Sequence, residues 1–335
     1  MAKHLRAAAA LWLALTLTLP VCAAQPETLV PVGRTVGLEL ETEGLYVAGF
    51  EEEDGESPAQ AAGLQAGDRL LSADGRKLDR AETLRELAGA CGGAPLLLAV
   101  ERDGRTLQIA VRPAMRGGTA RLGLRVRDRI SGLGTVTFYD PESGLFGALG
   151  HGVSGGGDRL LEIRGGVACE ACITEIRKGE AGTPGSLLGR PAGAETLGQV
   201  EQNTDRGLFG HAQSAALSGP ALPLAARSQV SVGPAEILCG VDGAEPERYA
   251  VEIEAVRFDP DECRDLRLVV TDPRLLDATG GIVQGMSGSP ILQNGRLVGA
   301  VTHVLVRDPT RGYGILIGHM LEGAQPQTAA RDEAA

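Results

Sequence analysis

The chain has 335 residues, of which 43% are hydrophobic and 22% charged, and a formal charge of -11. That length suits about two domains, and the composition is that of an ordinary globular protein rather than a disordered one. With no block of like positive charge to neutralise phosphates, nucleic acid is excluded as a partner.

Met1 to Ala24 has the form of a targeting segment. Lys3 and Arg6 give a positive start, Ala7 to Leu19 is apolar apart from Thr16 and Thr18, and Pro20-Val21-Cys22-Ala23-Ala24 resembles a cleavage region. The apolar run is short for a spanning helix of about 20 residues, so a cleaved signal is favoured over a retained membrane anchor, and export is expected in either case. Beyond it remain Cys91, Cys169, Cys172, Cys239 and Cys263, an odd set that cannot pair completely within one chain. Cys169-x-x-Cys172 lacks the second ligand pair of a zinc site, so two cysteines on one strand are expected, with a disulfide as the alternative and no metal.

Pro31 to Pro113 reads as a first, α+β domain. Ser57-Pro58 followed by Ala59 to Gly63 has a capping serine, a first-turn proline and a terminal glycine, and so predicts a short helix. A strand over Arg69–Ala73 turns at Asp74-Gly75, a second helix covers Ala81–Ala90, and strands over 96–101 and 105–111 flank Asp103-Gly104. The run Ser57-Pro58-Ala59 through Ala62-Gly63-Leu64-Gln65-Ala66-Gly67-Asp68-Arg69-Leu70, with Asp74-Gly75, resembles a bacterial PDZ domain. The resemblance implies that Val36, Gly37 and Leu38 form the loop and strand that receive a peptide carboxyl end, through backbone N–H groups and an open strand edge. A PDZ fold serving only as an interdomain brace is the alternative.

From Met115 to Met320 the pattern becomes almost wholly β. Leu122, Leu124 and Val126 alternate, as do Tyr249, Val251, Ile253 and Ala255, and Asn294-Gly295 marks a hairpin. A barrel or sandwich follows, with a core of Val, Ile, Leu and Ala because aromatics are only 3%. Residues 321–335 are expected to be a disordered tail.

Within this domain Gly285-Met286-Ser287-Gly288-Ser289 sets a serine on a backbone free to turn sharply. Its hydroxyl can stand clear while the N–H groups of Gly285 and Ser287 converge as an oxyanion hole. The string is not the α/β-hydrolase elbow, because Ser289 stands where that motif needs glycine. A tight turn with structural serines is the blander reading. A nucleophilic serine needs a base, and His151, at the end of a strand in Gly150-His151-Gly152, is the leading candidate. His211 is its main rival, His303 follows Ser287 within the next strands and could line the same pocket although Thr302 to Val306 reads more as strand interior, and His319 sits near the chain's end. Asp272 is 15 positions before Ser287 and could orient the imidazole. It equally reads as the N-cap of a helix that begins at Pro273 and ends at Gly280, with Asp205, Asp259 and Asp277 as competitors.

The strings Leu149-Gly150-His151-Gly152-Val153, Thr271-Asp272-Pro273, Gly285 to Ile291 and Gly299-Ala300-Val301-Thr302-His303-Val304 occur in this order behind an export segment and a PDZ module. Together they resemble the stage IV sporulation protein B (SpoIVB) peptidases of endospore-forming bacteria. The resemblance implies a chymotrypsin-like double β-barrel serine endopeptidase without cofactor, with His151 as base, Asp272 as orienting acid and Ser287 as nucleophile. It further implies export into the space between forespore and mother-cell membranes, self-cleavage near the N-terminus, and cleavage of a membrane-bound inhibitor of an intramembrane metalloprotease. That cleavage would release a late mother-cell transcription factor. The chain departs from the family in Gly155-Gly156-Gly157, which separate Ser154 from Asp158. A catalytically silent PDZ scaffold and a general envelope quality-control protease are the other readings.

Overall fold

A computed structural model describes residues 26–51, 57–155, 159–242, 245–257 and 263–325. The targeting segment over Met1–Ala24, Gly156, Gly157, Asp259 and most of the expected tail lie outside these residues.

In chain order the strands are β1 (Thr28–Pro31), β2 (Thr35–Phe50), β3 (Arg69–Ala73), β4 (Arg76–Lys77), β5 (Leu96–Arg102) and β6 (Arg105–Val111), followed by a small hairpin of β7 (Ala114–Arg116) and β8 (Thr119–Arg121). Then come β9 (Leu124–Tyr139), β10 (Leu145–Ala148), β11 (Ile163–Arg177), β12 (Ser186–Thr204), β13 (Gly207–Ala212) and β14 (Leu222–Pro223). The chain continues with β15 (Gly233–Cys239), β16 (Glu247–Val256), β17 (Leu266–Val270), β18 (Pro290–Gln293), β19 (Arg296–Val304) and β20 (Arg311–Leu316).

Two barrels result. In the first, β9 pairs with β10, β10 with β13, β13 with β12, β12 with β11, β11 with β2, and β2 with β9, which closes the ring. In the second, β15-β16-β17-β20-β19-β18 form a closed barrel. The mainly β double-barrel architecture expected from the sequence is the one adopted. The second core is aliphatic, with Ile237, Ile253, Leu266, Leu268 and Ile291 fully buried, each contributing roughly 1.5–3 kcal/mol relative to exposure. The scarce aromatics are concentrated instead in and beside the first barrel, where Phe138, Phe146 and Phe209 are buried.

The boundary expected at Pro31 and Pro113 is corrected. β1 and the first half of β2 belong to the first barrel: Thr35 to Glu41 pair with β9 on one edge and, over Val36–Thr42, with β11 on the other. The second half of β2 enters the PDZ-like module, where Leu45 and Leu70 are partners. At the far end, Leu122, Leu124 and Val126 pack into that module's core beside Leu45, Leu84 and Leu98. The module is thus inserted into the first barrel, and β2 and β9 run through both. Local alternation could not reveal this, because pairing Val36 with Gly134 joins segments nearly 100 residues apart.

Val36, Gly37 and Leu38 are corrected with the boundary. Their strand is paired on both edges, so it offers no free edge to a peptide end. Val36 and Leu38 are buried in the first barrel's core. Gly37 is required by close packing, since a Cβ there would lie 2.8 Å from Pro191 Cα.

The local predictions inside the module agree with the structure. The Pro58–Ala61 helix is capped by Ser57, whose hydroxyl accepts from Gln60 N, and the second helix spans Ala81–Ala90. Asp74 and Gly75 both take the positive φ of a hairpin turn. At the C-terminus the expected start of a tail at residue 321 is corrected, because the Ile317–Gly323 helix continues past it and buries Met320 and Leu321.

Candidate active site

The barrels meet along a cleft of about 530 Å³ whose lining includes His151, Ser287, Thr302 and His303. Its walls are aliphatic: Leu38 from β2, Ile130 and Leu133 from β9, and Ile282 and Val283 ahead of the nucleophile loop. Among the described residues, no carboxylate, lysine or arginine side chain lines it.

His151 follows a tight turn made by Leu149 and Gly150, at φ 69° and 70°. A non-glycine residue in the left-handed region is uncommon, and here it turns the chain off the end of β10 into the cleft. The imidazole Nδ1 lies 2.9 Å from Gly152 O, the geometry of an Nδ1–H donor. That tautomer leaves Nε2 with its lone pair free to accept a proton. Burial pushes the His151 pKa below the ordinary histidine value, and the Gly152 carbonyl only partly opposes the shift.

Ser287 stands between two glycines with positive φ, Gly285 at 101° and Gly288 at 98°. A Cβ on Gly288 would come within 2.0 Å of Thr135 O, so only glycine fits where this loop crosses the first barrel. Ser287 Oγ donates to Thr302 O at 2.9 Å. Among the described residues, the N–H groups of Gly285 and Ser287 donate to no protein acceptor, which leaves both free for a substrate oxyanion. Ser289, two residues on, is fully buried.

Two residues that sequence reasoning missed hold these loops. Thr135 on β9 donates through Oγ1 to Gly285 O at 2.8 Å and through N to Ser287 O at 2.9 Å, while its carbonyl accepts from Leu149 N at 3.2 Å. It therefore ties the histidine turn to the serine loop. Asn203 on β12 accepts from Val153 N and donates to Val153 O and Leu161 O, fixing the chain just after His151. Neither had a local signal, because each reads as an ordinary polar strand residue.

Of the other three candidate histidines, two fall elsewhere and one enters the cleft. His211 is exposed on β13 beside Glu201, and His319 pairs with buried Asp265. His303 joins the cleft, with its ring centroid 5.0 Å from that of His151, and its Nδ1 is buried without a partner. Burial, reinforced by His151 and Arg264, lowers its pKa to about 4.

Asp272 is not brought to His151, which corrects its expected role as orienting acid. It caps the Pro273–Thr279 helix by accepting from Arg274 N, and also accepts from Ala250 N and the Arg274 guanidinium. Hydrogen bonding from Arg274 holds its carboxyl at a pKa of about 2. Cap, first-turn proline and the Gly280 terminator, at φ 74°, form the competing structural motif visible in the sequence. Among the described residues, no carboxylate hydrogen-bonds His151; Gly152 O occupies Nδ1.

Among the described residues no disulfide forms between Cys91, Cys169, Cys172, Cys239 and Cys263, and Cys169 and Cys172 both lie on β11, where the Cys169 thiol donates to Gly37 O. Among the described residues no three His, Cys, Asp or Glu side chains group as metal ligands, and no helix is long and apolar enough to cross a membrane.

Residues 118–321, more than half of the chain, match the family profile described as SpoIVB peptidase S55. The chain belongs to the SpoIVB peptidase S55 family. Residues 51–102 match a PDZ domain, so this family member carries its PDZ module as an insertion in the first peptidase barrel. A stretch of 88 residues is 33% identical to a putative zinc metalloprotease of Bartonella henselae, covering 26% of this chain and 24% of that protein. A stretch of 90 residues is 34% identical to a putative zinc metalloprotease of Agrobacterium fabrum, covering 27% and 23%. The chain thus spans about a quarter of these relatives. Among solved structures, the PDZ domain of the SdrC-like protein Lmo2051 from Listeria monocytogenes is similar at 22% identity and a TM-score of 0.23, over 26% of this chain and 90% of that one. The Rv3671c protease in an inactive form is similar at 17% identity and a TM-score of 0.34, over 58% and 82%.

Proposed function

We propose that this S55 peptidase is a serine endopeptidase in which Ser287 is the nucleophile and His151 the base. Ser287 Oγ attacks the scissile carbonyl carbon as its proton passes to His151 Nε2. Gly285 N–H and Ser287 N–H stabilise the oxyanion, and the leaving amine takes the proton back from His151. Water then hydrolyses the acyl-enzyme by the same proton path. The observation that carries this reading is the single cleft shared by His151 and Ser287. Its aliphatic walls suit an extended substrate segment with apolar side chains.

Before the first step, the serine hydroxyl must rotate away from Thr302 O. This resting bond, with a backbone carbonyl rather than a carboxylate on His151 Nδ1, favours one second reading, a catalytically silent scaffold. A fluorophosphonate probe mapped by peptide mass separates the two. The peptidase reading expects label on Ser287, lost in Ser287→Ala and His151→Ala variants with unchanged circular dichroism. Label on Ser289, or none, overturns it.

The PDZ module's role is to receive a peptide end. The site we assign is the groove of about 610 Å³ between the Ala81–Ala90 helix and the start of β9, lined by Leu84, Ala88, Leu122, Leu124 and Val126. The resemblance to sporulation peptidases supplies the biological setting: export into the space between forespore and mother-cell membranes, self-cleavage, and cleavage of a membrane-bound protease inhibitor. Co-expression of such an inhibitor with the wild-type and Ser287→Ala chains tests that setting, since only the wild type should cut it.

A further inference from the structure

The PDZ module meets the histidine loop through a charge network that the proposed chemistry does not use. Arg69 on β3 is 11% exposed, binds Glu101 Oε2 at 2.6 Å and also pairs with Glu162, which follows the His151 loop. Arg159, on the same loop, reaches Glu101 Oε1 at 2.8 Å. Glu162 is also held by its backbone: Glu43 N donates to its carbonyl at 2.8 Å, and its own N–H points to Tyr46 Oη at 3.4 Å.

From Glu162 the path to the imidazole is short. Leu161 N donates to Val153 O at 2.8 Å, and Ser154 bridges Leu160 across the loop. Asn203 Nδ2 clamps the carbonyls of Val153 and Leu161 together, each at 2.8 Å. One residue before Val153, the Gly152 carbonyl accepts from His151 Nδ1.

We infer that Arg69 is a positioning residue for His151: by holding Glu162 and, through Glu101, Arg159, it lets the PDZ module brace the catalytic base. This inference rests on the reading of His151 as that base. Arginine suits the task because its planar fork can engage two carboxylates at once, which a single ammonium cannot do with the same geometry. Truncating it would leave the largely buried Glu101 with only the exposed Arg159, and the loop would resettle. A base displaced by a fraction of an ångström loses rate while substrate binding is little changed.

The test uses the full chain, a small fluorophosphonate that labels Ser287 without engaging the PDZ groove, and a short fluorogenic peptide. Arg69→Ala is expected to slow labelling and lower kcat roughly tenfold with KM unchanged. Glu162→Ala should act in the same direction, and the double variant should be no worse than the poorer single one. Arg69→Lys should recover part of the rate. Arg76→Ala, which removes an exposed pair with Glu86 on the same module, should leave the rate unchanged. If Arg69→Ala destabilises the fold, the half-exposed Glu162 supplies the variant that is read. Wild-type labelling and kcat in folded Arg69→Ala or Glu162→Ala, or additive losses in the double variant, overturn the brace while leaving the peptidase reading intact. Full labelling in His151→Ala removes the base assignment and this inference with it.

Discussion

The imidazoles of His151 and His303 lie 5.0 Å apart, centroid to centroid, and are tilted by 34° in the cleft that holds Ser287. Two protonated rings at this separation repel each other, and burial penalises each charge further. At neutral pH both are therefore neutral, the state a general base requires.

The first prediction concerns pH. Because burial lowers the His151 pKa, the acid limb of kcat/KM should lie below the ordinary histidine value of about 6.5. His303, with a pKa lowered to about 4, makes the fold lose stability as pH falls from about 6.5 toward 4, since the unfolded chain binds the proton more readily. His303→Gln should flatten that part of the stability curve. Thermal melts from pH 4 to 7 check the stability, and pH–rate profiles the base.

Asp272→Ala should act on stability before rate. Losing the cap should cost about 1–2 kcal/mol, and Arg274 loses the carboxylate it holds. The variant should melt several degrees lower, with kcat/KM within about tenfold of wild type. A loss of about ten-thousandfold in a folded variant would instead mark a triad acid. Denaturant titration and peptide kinetics on the same sample decide it.

Thr135→Val keeps the shape of a buried side chain and removes the hydroxyl that binds Gly285 O. The serine loop loses one of its ties to β9, so kcat should drop about tenfold or more with little change in KM. Leaving the Gly285 carbonyl unpaired should cost about 1–3 kcal/mol of stability. Steady-state kinetics beside thermal melts separate the two effects.

Gly285→Ala should impair the oxyanion hole directly. Its φ of 101° disfavours any side chain, and a Cβ would sit 3.1 Å from Leu187. Turning its N–H away from the oxyanion should lower kcat about 10²–10³-fold. Ser287 should still react slowly with a fluorophosphonate, and the ratio of labelling rates measures the loss.

Much of this site was legible in the sequence, because the chemistry depends on local strings. A serine set between two glycines, a histidine at a strand end and a hairpin marked by Asn294-Gly295 are written in adjacent residues. So were the cap, proline and glycine that make Asp272 a helix terminus, since those preferences act within one turn.

What only the tertiary structure decided was which distant strands become neighbours. Val36 and Leu38 have the pattern of any apolar strand, and only pairing with β9 and β11 assigns them to the peptidase barrel rather than to a peptide-binding edge. Thr135 and Asn203 gain their roles from loops far along the chain, and His303 gains its own from the side of β19 that faces the other barrel. Local propensity is set by each residue and its neighbours, whereas barrel closure depends on burying apolar faces from segments a hundred residues apart, which no short stretch of sequence encodes.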